Sequence, residues 1–160
     1  MIEELIHTFE ATVKFMEKSV DDLSDEEMVQ QPPGVPNHAT WTLGHIIFSC
    51  QGMATELGAA PWLPDDWESV FGYGSTPQSV EHPYPKKAKL QTLLADATTR
   101  LCHTVRSLDA SVLRRQLSDE DFPTMGHVLL QVVVAHTAYH AGQLAVWRRA
   151  IGKESVAVFV

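Results

Sequence analysis

One long stretch near the end of the chain decides its fold, Met125-Gly-His-Val-Leu-Leu-Gln-Val-Val-Val-Ala-His-Thr-Ala-Tyr-His-Ala-Gly-Gln-Leu-Ala-Val-Trp-Arg-Arg-Ala-Ile151. Thr124 is placed to cap the start of a helix here, and Gly152 is placed to end it. At 3.6 residues per turn, one face of this helix is apolar apart from two histidines. That face consists of Met125, Leu129, Val132, Val133, His136, His140, Leu144, Trp147 and Ile151. The pattern predicts a long amphipathic helix with this face buried.

His136 and His140 lie in the middle of the apolar face, one helical turn apart. Burying an imidazole nitrogen without a hydrogen-bond partner is costly. One metal ion would satisfy both rings, because side chains at positions i and i+4 converge beside a helix. The alternative is that each ring is bonded separately to a hydroxyl or a carbonyl in the core. The pair by itself leaves both interpretations open.

Three other segments show helical periodicity, at residues 2–23, from an N-cap at Thr40 to about Gly58, and at about 86–107. Four amphipathic helices in one chain predict an all-α protein with a four-helix bundle. A length of 160 residues is typical of a single domain, so we expect one domain over residues 1–160.

A long connection, residues 59–86, separates the second and third predicted helices. It is rich in proline, glycine and aromatic residues and shows no helical period. Connections this long in a compact domain are usually functional or disordered, and the aromatic content favours order. We therefore expect the part around Trp67, Phe71 and Tyr73 to cover one end of the bundle or to form a subunit contact.

The overall composition excludes several classes of partner. The formal net charge of -8 argues against nucleic acid, which requires a concentrated basic surface. No stretch is apolar for the roughly 18 residues that a membrane span requires. The N-terminus begins directly with an amphipathic pattern, and Cys50 and Cys102 form no spaced motif. We expect a cytoplasmic protein with two buried free thiols.

His45 lies on the second predicted helix, nearly opposite its main apolar stripe. Trp41 and Phe48 share that side, so the helix is apolar on two faces. A helix of this kind is buried on both faces, which makes His45 internal. On these residues alone, a structural role for His45 is favoured over a role as a metal ligand.

Three segments together resemble a known family. They are Asn37-His-Ala-Thr-Trp-Thr-Leu-Gly-His-Ile46, Trp67-Glu-Ser-Val-Phe-Gly-Tyr-Gly-Ser75 and His136-Thr-Ala-Tyr-His-Ala-Gly-Gln-Leu144. In this order they resemble the start of the second helix, the following loop and the His-x-x-x-His-x-Gly-Gln signature of the DinB/YfiT-like metalloenzymes. The resemblance spans essentially the whole chain.

The resemblance implies a bundle in up-down-down-up order in which His45, His136 and His140 bind one divalent ion, usually zinc or nickel. Family members with assigned activities include transferases and isomerases that use bacillithiol, mycothiol or glutathione. We therefore expect a small-molecule thiol and an electrophile as partners, in detoxification or stress response. Gln143, within a turn of His140, is a candidate for orienting a ligand or substrate, or is simply a polar residue near the bundle end.

Two alternative functions stay open on the sequence. The same ion would serve a hydrolase, or the bundle would be non-catalytic, with a structural metal or a role in protein interaction. A structural ion requires a closed ligand sphere. The motifs contain no fourth ligand at a suitable spacing, and Glu56 lies three turns from His45. An open site, and with it an enzyme, is therefore favoured.

Other histidines and one strip of small residues are expected to have roles outside the metal site. We interpret His38 as a loop residue, and His82 and His127 as surface residues. A strip of small residues runs along the last helix, away from the histidines, and meets either another helix or a second subunit. It consists of Val134, Ala138, Ala141 and Ala145. The family resemblance favours a homodimer.

Overall fold

Four long helical segments form the body of the protein in the computed structural model, which describes residues 2–78 and 81–157. The helices in chain order are α1 (Ile2–Lys18), α2 (Asp25–Met28), α3 (Ala39–Glu56), α4 (Trp67–Phe71), α5 (Lys87–Arg106), α6 (Ala110–Leu113), α7 (Met125–Leu130) and α8 (Thr137–Ala150), with a π-helical turn (Gln131–His136) between the last two. The described residues contain no strand, only an isolated bridge between Gln116 and Thr124. The predicted all-α fold is confirmed.

The long helices enclose one apolar core. Helix α3 packs along α5, α1 contacts both α5 and α8, and α3 also contacts α8. The largest fully buried side chains include Phe9, Met16, Leu43, Ile46, Leu94 and Trp147. Each such side chain contributes about 1.5–3 kcal/mol when it leaves water. The up-down-down-up order of the four segments stays a prediction.

Helix α3 begins earlier than Thr40, so the predicted N-cap was wrong. His38 is the N-cap, and its Nδ1 accepts a hydrogen bond from the backbone N–H of Trp41 at 3.1 Å. Residues 39–47 are all buried, which confirms that α3 is covered on both apolar sides and that His45 is internal. Thr40 is itself buried, one residue inside the helix.

The last helical segment differs from a regular α-helix in one turn. Thr124 caps its start as predicted, because its side chain accepts a hydrogen bond from the N–H of His127. Residues 131–136 then form the π-helical turn, which the sequence analysis did not predict. Thr137 donates its hydroxyl to the carbonyl of Val132, five residues earlier, at 2.9 Å. A π turn adds a residue to the helix and so rotates all that follows.

The connection between α3 and α5 is ordered around α4. Trp67 and Phe71 are buried, and the Trp67 indole donates a hydrogen bond to the carbonyl of Gly44 at 3.1 Å. The predicted cover is confirmed for these two residues. Tyr73 is 99% exposed and does not pack over the bundle, and the predicted alternative for it, a subunit contact, stays a prediction. Tyr73 lies in the turn after α4, beside Gly74 with its positive φ, and its ring is in solvent.

No helix in the described part of the chain combines the length and the apolar character that crossing a membrane requires.

Candidate metal centre

Three histidine rings from two parts of the chain meet inside the bundle. His45 comes from α3, His136 ends the π-helical turn, and His140 lies one turn further along α8. The Nε2 atom of His136 lies 3.0 Å from Nε2 of His45 and 3.1 Å from Nε2 of His140. One nitrogen from each ring lies within 4.8 Å of the others. The structure thus brings together the three residues to which the family resemblance pointed.

The His45 ring is held from both its edge and its face. Its Nδ1 lies 2.7 Å from the main-chain carbonyl of Phe71, which can only accept a hydrogen bond. The proton of a neutral ring therefore sits on Nδ1, and the Nε2 lone pair faces the other two histidines. The Trp41 indole stacks on the ring with a centroid distance of 4.7 Å and an interplanar angle of 9°. A carbonyl partner on the far nitrogen is the usual arrangement of a metal-binding histidine.

Burial keeps all three rings neutral at physiological pH. Desolvation, reinforced by the neighbouring His45, lowers the pKa of His136 to about 4. Desolvation likewise lowers the pKa of His140 to about 4, and the nearby Gln143 amide opposes this only weakly. Burial also lowers the pKa of His45, against the opposing effect of the Phe71 carbonyl. Neutral imidazoles retain the lone pairs that bind metal ions.

The donor set fits a divalent cation. Three Nε2 atoms converge without a carboxylate among them, and the Nδ1 atoms of His136 and His140 are buried without a hydrogen-bond partner among the described residues. If each Nε2 atom carries a lone pair, the three lone pairs repel one another unless a proton or a cation lies between them. Three imidazoles suit zinc and similar ions, and they leave a coordination position open. Within the described ranges no cysteine, aspartate or glutamate joins the cluster.

The π-helical turn determines where His136 lies. Turns of this type often occur at functional sites. The successive residues Val132, Val133 and Val134 form half of this turn. Branching at Cβ crowds a regular helix, so this valine run is the one local signal of the irregularity in the sequence. Periodicity alone did not reveal it.

Gln143 lies beside His140 and contacts Asn37. Its Oε1 accepts a hydrogen bond from Nδ2 of Asn37 at 3.3 Å, and its amide lies close to His140. Asn37 and the Phe71 carbonyl are the polar groups around the site that the sequence analysis missed. Asn37 belongs to one of the motifs that resemble the family, but its contact with a residue 106 positions away depends on the tertiary structure.

The other histidines lie outside the cluster. His38 precedes α3, as predicted for a loop residue, but it is buried as the N-cap, with its ring centroid 5.2 Å from that of Tyr84. His127 is exposed and bonded to Thr124, whereas His82 is half-buried against Tyr84.

The two thiols are buried and free, as predicted. Burial raises the pKa of Cys102 to about 11, so it is a poor nucleophile.

A groove opens beside the histidines. Helix α3 forms one of its walls, and α7 together with the π-helical turn forms the other. Its cavity volume is about 300 Å³. His45 and His136 form one part of its lining. The other lining residues are Phe48, Ser49, Gly52, Met53, Glu56, Tyr73, Val128, Gln131 and Val132. The open side of the cluster is therefore accessible to a small molecule.

Comparison with known proteins agrees with this architecture. The fold is similar to the crystal structure of a conserved protein from Enterococcus faecalis, with a TM-score of 0.73. The similarity covers 94% of this chain and 96% of that chain at 18% sequence identity. No curated protein matches the sequence. The family model of the DinB superfamily matches residues 8–144, which include all three histidines. The chain belongs to the DinB superfamily.

Proposed function

We propose that this protein is a metal-dependent enzyme that transfers a low-molecular-weight thiol to an electrophile. The observation that carries the proposal is the cluster of three neutral imidazoles beside an accessible groove. Its resemblance to DinB-like proteins that use thiols supports the choice of reaction. A role in detoxification or stress response is part of the same proposal.

His45, His136 and His140 would hold the ion, with zinc or nickel the best match to imidazole ligands. When bound, the ion supplies positive charge that lowers the pKa of a thiol or water taken into its open position. The Phe71 carbonyl fixes the tautomer of His45, and Trp41 fixes the plane of its ring. We assign Gln143 an orienting role through its position beside His140.

The reaction itself is a substitution at carbon. The thiol sulfur forms a bond to the electrophilic carbon, and the leaving group departs with the bonding electron pair. The thiol proton passes to water. The apolar walls of the groove keep water away from the sulfur, which preserves its nucleophilicity.

Metal analysis of the native protein and a thiol-consumption assay test this proposal. We expect about one ion per chain. We also expect consumption of mercaptoethanol, cysteine or glutathione in the presence of an aryl chloride, and loss of this activity after chelation. A metal-containing protein that consumes no thiol but hydrolyses esters would identify a hydrolase. A protein purified without metal, and unable to bind zinc or nickel, would contradict a metal-dependent function.

A further inference from the structure

The groove beside the histidines runs along one face of α3. Its lining residues on this helix recur at the i, i+3 and i+4 positions of one helix face, and they are His45, Phe48, Ser49, Gly52, Met53 and Glu56. Residues at this spacing form a continuous stripe along a helix. With a rise of 1.5 Å per residue, the stripe from His45 to Glu56 is about 16 Å long. The groove is thus elongated, with the histidine cluster at one end and Glu56 at the other.

The wall of the groove opposite α3 runs in the same direction as the stripe on α3. It is formed by Val128, Gln131, Val132 and His136, which again recur at helical spacing. Tyr73 stands at the mouth with its ring in solvent. A volume of about 300 Å³ is at the small end of the range for small-molecule sites and too small for a protein segment with regular structure. The shape fits a slender ligand lying parallel to α3.

The two ends of the groove differ in chemistry. Phe48, Met53 and Val132 make its middle apolar. Glu56 is exposed, and no ion pair with it occurs within residues 2–78 and 81–157. Among the residues that the structure describes, no lysine or arginine lines the groove. The end remote from the histidines therefore carries uncompensated negative charge that attracts a cation.

We infer that the groove binds a substrate with an elongated apolar body, whose reacting group lies at the histidine cluster and whose positively charged amino group lies at Glu56. This inference rests on the proposed function, because it assigns the groove to the substrate of that reaction. Glu56, which is too far from His45 to bind the same ion, becomes a residue that determines substrate specificity.

Gly52 offers a way to block the groove without disturbing the fold. It lies midway between His45 and Glu56 on the same stripe, and a Cβ added there meets no atom within 4 Å. Glycine in a helix interior is destabilising relative to residues with a side chain. Gly52→Leu therefore fills the groove, and the variant is expected to fold at least as well as the wild type. Ala95→Leu, at an exposed position on α5, adds similar apolar bulk elsewhere and serves as the control.

The test uses protein loaded with Co²⁺, whose sulfur-to-cobalt charge-transfer absorption reports thiol binding. The probes are mercaptoethanol, aminooctanethiol, mercaptooctanol and mercaptooctanoic acid. We expect aminooctanethiol to bind most tightly of the three long thiols and the acid least tightly. Because Glu56 is exposed, the preference of amine over alcohol should be about two- to fivefold, and Glu56→Gln should remove it. Gly52→Leu should weaken all long thiols at least tenfold and leave mercaptoethanol unchanged, whereas Ala95→Leu should change none of them.

Two results would overturn the inference: long thiols that bind Gly52→Leu as they bind the wild type, or equal affinity of the wild type for the amine and the acid. Octylamine and octanol test the groove without a thiol, through the melting temperature of the metal-loaded protein. Octylamine should raise that temperature more than octanol does in the wild type, and neither should raise it in Gly52→Leu. Full Co²⁺ occupancy with no absorption from any thiol would contradict the proposed function alone, and the octylamine comparison would still decide the role of the groove.

Discussion

Nδ1 of His45 donates a hydrogen bond to the main-chain carbonyl of Phe71 at 2.7 Å, and this contact joins the candidate metal centre to the connection between α3 and α5. The same connection is fixed to α3 a second time, because the Trp67 indole donates to the carbonyl of Gly44. The Phe71 ring packs directly over Gly44, where there is no room for a side chain. The orientation of His45 thus depends on the close approach of α4 to α3.

Gly44→Ala is predicted to disturb this contact. A Cβ at position 44 would collide with the Phe71 ring and push the connection away from the helix. Overpacking of this kind costs about 1–3 kcal/mol of unfolding free energy. Because the Phe71 carbonyl would move with the ring, metal affinity should fall by roughly 10- to 100-fold. Urea denaturation and competition with a chelator measure the two effects.

Gly52→Ala provides the matched control on the same helix, since its Cβ meets nothing within 4 Å. It should leave metal affinity unchanged and stabilise the protein by roughly 0.5–1 kcal/mol. If Gly44→Ala bound metal and unfolded like the wild type, the connection would have no part in orienting His45.

Replacing any one of His45, His136 and His140 by Ala should sharply reduce metal content. Two imidazoles hold a divalent ion less tightly than three, whereas most of the helical structure depends on the apolar core. Elemental analysis and circular dichroism give the two measurements. His7→Ala, at an exposed position on α1, is the control and should retain the ion. Full metal occupancy in all three ligand variants would refute the assignment.

The same helical periodicity predicted the long helices and placed two of the three clustered histidines together. The spacing that makes the last segment amphipathic also places His136 and His140 one turn apart on its buried face. The periodicity of α3 did not single out His45 as a ligand, because that residue lies opposite the main stripe and only the family resemblance pointed to it. Local patterns identify a shared face, but they do not show which faces of two helices meet.

The groups that orient the site could not be predicted from local sequence patterns. A backbone carbonyl has no sequence signature, so the role of Phe71 follows only from the path of the chain around α4. Threonine is a common capping residue, and for this reason the sequence pattern predicts Thr40 as the α3 cap. His38 takes that position because its Nδ1 lies within hydrogen-bond distance of the Trp41 N–H.

Ala141→Glu is predicted to destabilise the bundle. Ala141 is 5% exposed and belongs to the apolar core, so its place in the small-residue strip reflects packing within the chain. A carboxylate placed there without a partner should cost several kcal/mol, visible as loss of helical signal and a lower melting temperature. Ala138→Glu, three residues away on an exposed position, should have little effect. A folded Ala141→Glu protein of wild-type stability would contradict the core placement.

The homodimer implied by the family resemblance stays a prediction, and sedimentation of the wild type tests it. The structure offers Tyr139 and Val146, exposed by 61% and 51%, as apolar residues of α8 that a second subunit would cover. If the wild type is dimeric through this face, Val146→Glu should yield folded monomers that retain the ion, since residue 146 lies outside the histidine cluster. A wild-type monomer would reject the dimer.

The last prediction concerns His38 and the pH dependence of stability. Burial lowers the pKa of His38 from its usual 6.5 to about 4, and no described residue bonds its Nε2 atom. Between pH 6.5 and about pH 4, His38 is therefore protonated in the unfolded chain but neutral in the folded protein. The contribution of neutral His38 to the free energy of unfolding is fully present above the pKa that His38 has in the unfolded chain. It is lost as the pH falls, by roughly 2 kcal/mol near pH 5. His38→Asn keeps a good helix cap and removes the titrating group, so its unfolding free energy should fall less between neutral pH and about pH 5 than that of the wild type. Urea denaturation of both proteins at the two pH values measures the difference, and parallel losses would show that His38 takes up its proton equally well in the folded and the unfolded protein.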